Sequence, residues 1–545
     1  MSLSSPMTAS RPLDPSPADP GAPRVRPLAA MVDGMQPYEL TVDKFLTHAA
    51  RWHADVEVVS CDIEGDVSRM GYADVLARSV RLSGALLDLG LERGDVVATL
   101  AWNTRPHMEI WYAVMGVGMV CHTLNPRLTA VQLASMLEQS GATVMAYGAG
   151  LAPLAADIAA RRPGLRLIAL DERPSDVATI DHEALIEAGR PVAWGGFDER
   201  TPAGLCFTSG TTGAPKGVVY SHRSNYLVTL RSILPDSLGL NRSDAVLVAV
   251  PMFHANAWGF PFSAPAVGAK LVLPGRVTDG ARLARLIREE GVTVTAGVPT
   301  VWLGLVDHVD ASGEGVPSLQ RIVLGGSGCP DALMNRLEQT LGVRVQTSWG
   351  MTELSPTGTL SPPSDPACAS GVTSVGLDMK LTDADGIDLP QQRGEVGHLK
   401  VRGASVVNRY LGAETPAVDA DGWFDTGDLA RIGADGALTI AGRSKDLIKS
   451  GGEWINPAEI EEIVGALDAV TLAAVVARPD PKWGERPVLV VELRAAVEDD
   501  AFRSALKGRV ADWWIPDRIE RVAAMPLAAT GKIDKNRLRA EFGRD

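Results

Sequence analysis

The sequence predicts an α/β protein. The expected architecture is a large N-terminal domain of layered mixed and parallel sheets with helices, carrying a small antiparallel β subdomain, then a small α+β C-terminal domain. Three observations predict it. At 545 residues the chain is too long for one core. From Tyr38 onward, amphipathic helical stretches alternate with short β-branched runs, as in strand–helix–strand layers. Near residue 390 that alternation gives way to a glycine-rich stretch, and from Arg443 a compact βα pattern begins.

Residues 1–37 hold eight prolines and no apolar h-region, so they read as a disordered extension rather than a signal peptide. Asp14 and Asp19 argue against a transit peptide. "YADVLARSVRLSGALLDLG" (72–90) has helical spacing and stops at Gly90; "DVVATLAW" (95–102) then reads as a buried strand and "RPHMEIWYAVMGVGMV" (105–120) as a helix. "ATVMAYG", "LRLIAL", "AVLVAVP", "AKLVLPG", "VTVTAGVP" and "LQRIVLGG" are further short strands, with helices such as "DGARLARLIREEG" between some of them. "GEVGHLKVRG" and "GWFDTGDLARIGADGALTIAGR" suit a small antiparallel unit. "PAEIEEIVGAL", "AVTLAAVVARPD", "RPVLVVELR" and "AFRSALKGRVADWW" follow as the last βα unit. The expected parts are therefore 1–37, 38–442 and 443–545, with the boundary at Gly442–Lys445.

Composition narrows the function. Hydrophobic residues make up 46% and charged residues 22% of a chain with net charge −14. That charge argues against non-specific nucleic-acid binding, so an anionic ligand must be held by a local cluster rather than a basic face. Cys61, Cys121, Cys206, Cys329 and Cys368 are scattered without a C-x-x-C pair, which suggests reduced thiols in the cytoplasm. The most apolar region, Ala245–Phe262, is broken by Pro251, His254, Asn256 and Pro261, and falls short of a membrane span.

"TSGTTGAPKG" (208–217) has the make-up of a phosphate clamp: glycines that let backbone N–H groups converge, hydroxyls, and Lys216. It fails the Walker spacing, because no Ser or Thr follows the lysine. Taken alone it also fits an ordinary surface turn. Six more stretches lie in order with it: "VPMFHANAWG" (250–259), "GGSGCP" (325–330), "SWGMTE" (348–353), "FDTGDLA" (424–430), "GRSKDLIKSGGEWINP" (442–457) and "ATGKIDK" (529–535). Together they resemble the adenylate-forming superfamily of acyl-CoA synthetases, luciferases and peptide-synthetase adenylation domains. The pairing of "PMFHANAWG" with "KSGGEWINP" most resembles fatty-acyl-CoA ligases of bacterial medium- and long-chain type. Ligases for short thioether acids such as 3-methylmercaptopropionate are close relatives of that type.

The resemblance implies a reaction and a site. A carboxylate attacks the α-phosphate of ATP, pyrophosphate leaves, and the acyl-adenylate passes its acyl group to the thiol of CoA, with Mg²⁺ accompanying ATP. Two anions must meet, so neutralising charge is the main task. By resemblance, Thr208, Ser209, Gly210, Thr211, Thr212 and Lys216 close over the β- and γ-phosphates. Glu353, with Thr211, holds Mg²⁺, and Thr352 offers its hydroxyl to the α-phosphate. Trp349 stacks on adenine beside Gly350 and Met351, Asp428 takes the ribose hydroxyls, and Arg443 lies against the ribose. Gly325, Gly326 and Ser327 run between adenine and the acyl group. His254 sits beside the reacting carboxylate, Trp258 gates the acyl tunnel, and Gly297 and Gly326 border the substrate. Lys532 bridges carboxylate and α-phosphate. The C-terminal domain is then mobile, with Lys445 as hinge and Lys449, Gly451, Gly452, Glu453 and Trp454 facing the site where CoA enters. Expected partners are ATP, CoA and the acid, without nucleic acid or stable membrane insertion; a homodimer is left open. Donation of acyl-AMP to a carrier protein, luciferase-like oxidation and a catalytically dead nucleotide sensor are the competing readings. Medium- or long-chain fatty acids lead, with short thioether, branched or aryl acids as the alternative.

Overall fold

The computed structural model describes residues 35–170, 179–208, 215–364, 370–528 and 531–544. Two compact units are distinguished, Met1–Glu39 and Leu40–Asp545, and every element below belongs to the second. The expectation of disorder for residues 1–37 falls, apart from its last three residues, outside the described chain.

Two large sheets organise residues 57–373. The first has nine strands, in the order Val372–Thr373, Thr357–Leu360, Arg344–Gly350, Arg321–Leu324, Val294–Gly297, Ala245–Val248, Lys270–Leu273, Glu57–Cys61 and Val67–Gly71. Its six central strands, Arg344–Gly350 through to Glu57–Cys61, run parallel and its margins antiparallel. The second has seven strands, from Thr179–Asp181 at one edge through Arg166–Ala169, Val144–Tyr147, Val96–Leu100, Val120–Thr123 and Pro202–Phe207 to Gly217–Ser221 at the other. Only its last pair is antiparallel. The apolar runs read as strands because both faces are covered: Val120–Thr123, Val144–Tyr147, Ala245–Val248 and Val294–Gly297 are buried at every position. Helices cover the sheets and carry local stop and start signals. In Gly280–Glu290, the Asp279 side chain accepts from the Arg282 N–H, and Gly291 closes the helix at φ 62°.

The helix expected over 105–120 ends at Gly116; Gly118 turns at φ 79° and Val120–Thr123 joins the seven-stranded sheet. A continuous apolar run does not by itself distinguish a buried helix from the strand that follows. Beyond residue 373 a four-stranded antiparallel sheet forms from Leu377–Thr382, Val396–Gly403, Phe424–Ile432 and Leu438–Arg443. A five-stranded sheet of residues 448–522 follows, flanked by Pro457–Gly465, Asp499–Leu506 and Lys535–Phe542. Among the described residues, no helix is long and apolar enough to cross a membrane.

Thr208, Gly325–Gly326 and Met351–Glu353 each follow directly on the carboxyl end of a strand in one of the two large sheets, where open α/β sheets bind ligands.

Candidate active site

The loops after those strand ends line a cavity of about 990 Å³. Of the residues expected at the site, Thr208, Lys216, His254, Trp258, Gly326, Trp349, Gly350, Met351, Thr352, Glu353, Arg443 and Lys532 line it. Residues as far apart as 208 and 532 therefore converge. Ser209, Gly210, Thr211 and Thr212 lie outside the described residues.

The acidic member is Glu353, in the short 3₁₀ turn Thr352–Leu354 and only 8% exposed. Its Oε1 accepts from the Tyr410 hydroxyl at 2.9 Å, and the ring of Tyr410 lies 4.9 Å from Lys216 Nζ. Tyr220 donates to the Thr352 carbonyl at 2.9 Å, tying the same turn to the strand Gly217–Ser221. Tyr410 was not anticipated, and no local signal marks it: its role comes from the fold bringing residue 410 to residue 353.

Asp428 and Arg443 face each other in register on adjacent strands. Arg443 Nε meets Asp428 Oδ1 at 2.9 Å, and the Trp349 indole N–H donates to Oδ2 at 2.8 Å. The expected adenine-stacking ring and the expected ribose acceptor are thus joined, which a ring without a donor would not allow. Burial raises the Asp428 carboxyl above its usual range, while Arg443, Trp349 and Lys532 pull it back down.

His254 precedes an unusual turn. Ala255, Asn256, Ala257 and Trp258 all take left-handed backbone angles, with φ from 46° to 53°, before Gly259 at 81°. Each such non-glycine residue costs about 1–2 kcal/mol, so the surroundings must over-determine the turn. They do: Ala255 N–H donates to Cys206 Sγ at 3.4 Å, the Asn256 amide to Asn225 Oδ1 at 3.4 Å, and residues 255–257 are buried. The turn lays the Trp258 ring against Gly325 and Gly326. A Cβ on Gly325 would stand 2.2 Å from Ser348 Oγ and 2.9 Å from Trp258 Cη2. One on Gly326 would stand 3.4 Å from Lys532 Cε and 3.6 Å from Trp258 Cζ2. The two glycines make a slot that a side chain would fill.

Lys532 comes into this slot from the C-terminal segment, anchored where the Thr300 hydroxyl donates to the Gly531 carbonyl at 3.3 Å. Burial, then the charge of Arg443, lowers its pKa to about 8, against a smaller pull from Asp428. Burial and the nearby Lys532 bring His254 down to about 4, so its ring is neutral at pH 7.

The remaining candidates lie elsewhere. Gly325 and Ser327 are not among the cavity's lining, and Gly297 packs on the ring of Trp302 instead. Lys445 sits exposed in the 3₁₀ turn Ser444–Asp446, between the four-stranded and five-stranded sheets. Lys449 and Trp454 line a separate, open cavity of about 510 Å³ with Lys445, and Lys449 Nζ lies 5.4 Å from the Trp454 ring. Gly451, at φ 62°, packs on Trp483, while Gly452 and Glu453 are exposed. In this conformation, then, Lys532 is in the first cavity and the 449–454 loop is outside it.

The AMP-binding enzyme family profile matches residues 45–411, and the profile of its C-terminal domain matches residues 459–532. The chain is 40% identical over 534 residues to 3-methylmercaptopropionyl-CoA ligase of Ruegeria lacuscaerulensis, covering 94% of this chain and 99% of that one. It is also 40% identical over 534 residues to medium-chain-fatty-acid–CoA ligase of Ectopseudomonas oleovorans, covering 94% and 98%. A solved structure of o-succinylbenzoate coenzyme A synthetase from Bacillus subtilis with ATP and magnesium superposes with a TM-score of 0.76 at 26% identity, covering 91% of this chain and 99% of that one. The chain belongs to the AMP-binding, adenylate-forming enzyme family.

Proposed function

We propose that the protein is an ATP-dependent acyl-CoA ligase that activates a carboxylic acid as its adenylate, releases pyrophosphate, and transfers the acyl group to CoA. The observation that carries this reading is Lys532, drawn from the C-terminal segment into the cavity that holds His254, Thr352, Glu353 and Arg443. A single lysine in a buried slot neutralises charge where the two anionic reactants meet, and it is fixed in place before the reaction begins.

The remaining roles follow from placement. Lys216 and Thr208 meet the phosphates, with the neighbouring loop as their expected continuation. Asp428, held by Arg443 and Trp349, takes the ribose, and the Trp349 ring takes the adenine. Glu353 fits a hard cation: it lines the cavity, its Oε1 is committed to Tyr410, and its other oxygen carries no hydrogen bond among the described residues. Magnesium carried in with ATP would be held there by Glu353 and would supply neutralising charge. His254, as a neutral ring, positions the acid by hydrogen bonding.

We take residues 443–545 as a unit that moves about Lys445 between two states. The state described here is the adenylating one; in the other, Lys449 and Gly451–Trp454 face the site and CoA enters. Free Cys61, Cys121, Cys206 and Cys329 fit a reducing compartment, and we assign the protein to the cytoplasm. The acid is taken to be a medium- or long-chain fatty acid; by their names, relatives of equal similarity act on a thioether acid and on medium-chain acids.

The test is product analysis with Mg²⁺, ATP, CoA and a panel of carboxylic acids. Acid-dependent AMP, pyrophosphate and acyl-CoA are expected. ADP and phosphate in their place would overturn the assignment.

A further inference from the structure

The acyl side of the cavity is bounded by Leu238, Phe260, Val323 and Leu360, which belong to one apolar core cluster, and by Thr357. Behind this wall stands Arg231, in the last turn of helix His222–Ser232 and 6% exposed. Its guanidinium donates to the carbonyl of Thr357, a residue of the cavity wall. No carboxylate among the described residues pairs with it, and burial, unopposed by any anion, lowers its pKa to about 10. Buried Arg486 and half-buried Arg321 are treated differently: Arg486 has Asp517 at 2.8 Å and Arg321 has Asp244 at 3.4 Å. A buried cation without a counter-charge is costly, because the attraction that repays its desolvation is missing.

The segment that follows Arg231 carries further buried polar groups. Within the compact segment that follows it, the hydroxyls of Ser232 and Ser237 are buried without hydrogen-bond partners. Gln346 holds this segment in place, its amide nitrogen donating to Ser237 O at 2.9 Å and Ser361 O at 2.8 Å. Gln346 projects from the same face of its strand as Ser348, a cavity residue two positions on. One wall of the acyl pocket therefore backs onto a buried cation. A plain alkyl terminus would leave that cation without a counter-charge.

We propose that Arg231 is a specificity residue at the far end of the acyl pocket, and that the preferred acid carries a second carboxylate there: a dicarboxylic acid. One carboxylate is then activated at Lys532 while the other supplies the counter-charge that Arg231 lacks, with the guanidinium N–H groups as donors. The inference rests on the acyl-CoA ligase reading and replaces the plain fatty acid taken above with a dicarboxylic one.

The experiment compares alkanoic acids with α,ω-dicarboxylic acids matched in length, by AMP release at saturating ATP and CoA, in the wild type and in Arg231→Met. At the best length the diacid should exceed its matched monoacid in kcat/KM by about 10–10²-fold, the scale of one charge-assisted contact. Arg231→Met should abolish or reverse that preference while leaving the KM for ATP unchanged. Monoacids equal or better at every length in the wild type would overturn the inference while leaving the ligase reading intact. So would a variant that lowers both series alike. If Arg231→Met does not fold, the wild-type comparison alone decides. No AMP from either series would instead overturn the ligase reading, and the inference with it.

Discussion

Lys532 illustrates how one side chain is tuned by its place. The proposed role needs its charge, yet burial and Arg443 work against it and leave a pKa of about 8. The sign is direct: below pH 8 the lysine is charged and competent, and the charge is lost as pH rises through 8 instead of through the ordinary lysine range. In the free enzyme, kcat/KM for adenylation should therefore fall on an alkaline limb near pH 8, and Lys532→Arg should move that limb out of range. A wild-type profile flat to pH 10 would contradict the placement. Trp349 offers a second test. Trp349→Phe keeps a stacking ring but removes the N–H that meets Asp428 Oδ2 at 2.8 Å. The KM for ATP should rise about 10-fold, as expected for one hydrogen bond to a buried carboxylate, with the KM for the acid unchanged. An equal effect on both substrates would assign Trp349 to packing.

The left-handed turn Ala255–Trp258 and the Gly325–Gly326 slot act as one unit, because the first aims an indole at the backbone of the second. Trp258→Ala should alter acid preference by chain length more than it alters the KM for ATP. Gly325→Ala places a methyl 2.2 Å from Ser348 Oγ. It should lower thermal stability by about 1–3 kcal/mol through overpacking, and Ser348→Gly should restore part of that loss; no restoration would locate the clash elsewhere. Elements of this kind mark the limit of what the sequence makes legible. The parallel strands are readable because β-branched runs are bounded by glycine and proline, and the motifs are readable because residue type and spacing carry the chemistry. Four successive non-glycine residues at positive φ have no such signature, since tertiary contacts through Cys206 and Asn225 impose them. The partnership of Tyr410 with Glu353 and the burial of Arg231 are hidden for the same reason. The end of the helix at Gly116 was missed because an apolar run continues across it.

For the whole molecule, the proposed function has one cavity serve two reactions by exchanging which part of residues 443–545 faces it. Lys532 is inside the cavity, and Lys449 lies outside it beside Trp454. A static site would need both lysines in the cavity together; alternation needs them there in turn. The Asp446–Arg539 ion pair and the Asn456 amide on the Ala441 carbonyl brace the connector on either side of Lys445. Fixing φ at Lys445 with proline should trap the adenylating state and leave pyrophosphate release intact while thioester formation falls. The most direct measurement assays the two half-reactions separately in Lys532→Ala and Lys449→Ala. Lys532→Ala should lose adenylation by about 10²–10³-fold, the scale of one electrostatic stabiliser, yet still convert supplied acyl-adenylate and CoA to thioester. Lys449→Ala should keep acid-dependent pyrophosphate exchange and lose thioester formation. Equal impairment of both steps in both variants would contradict the account.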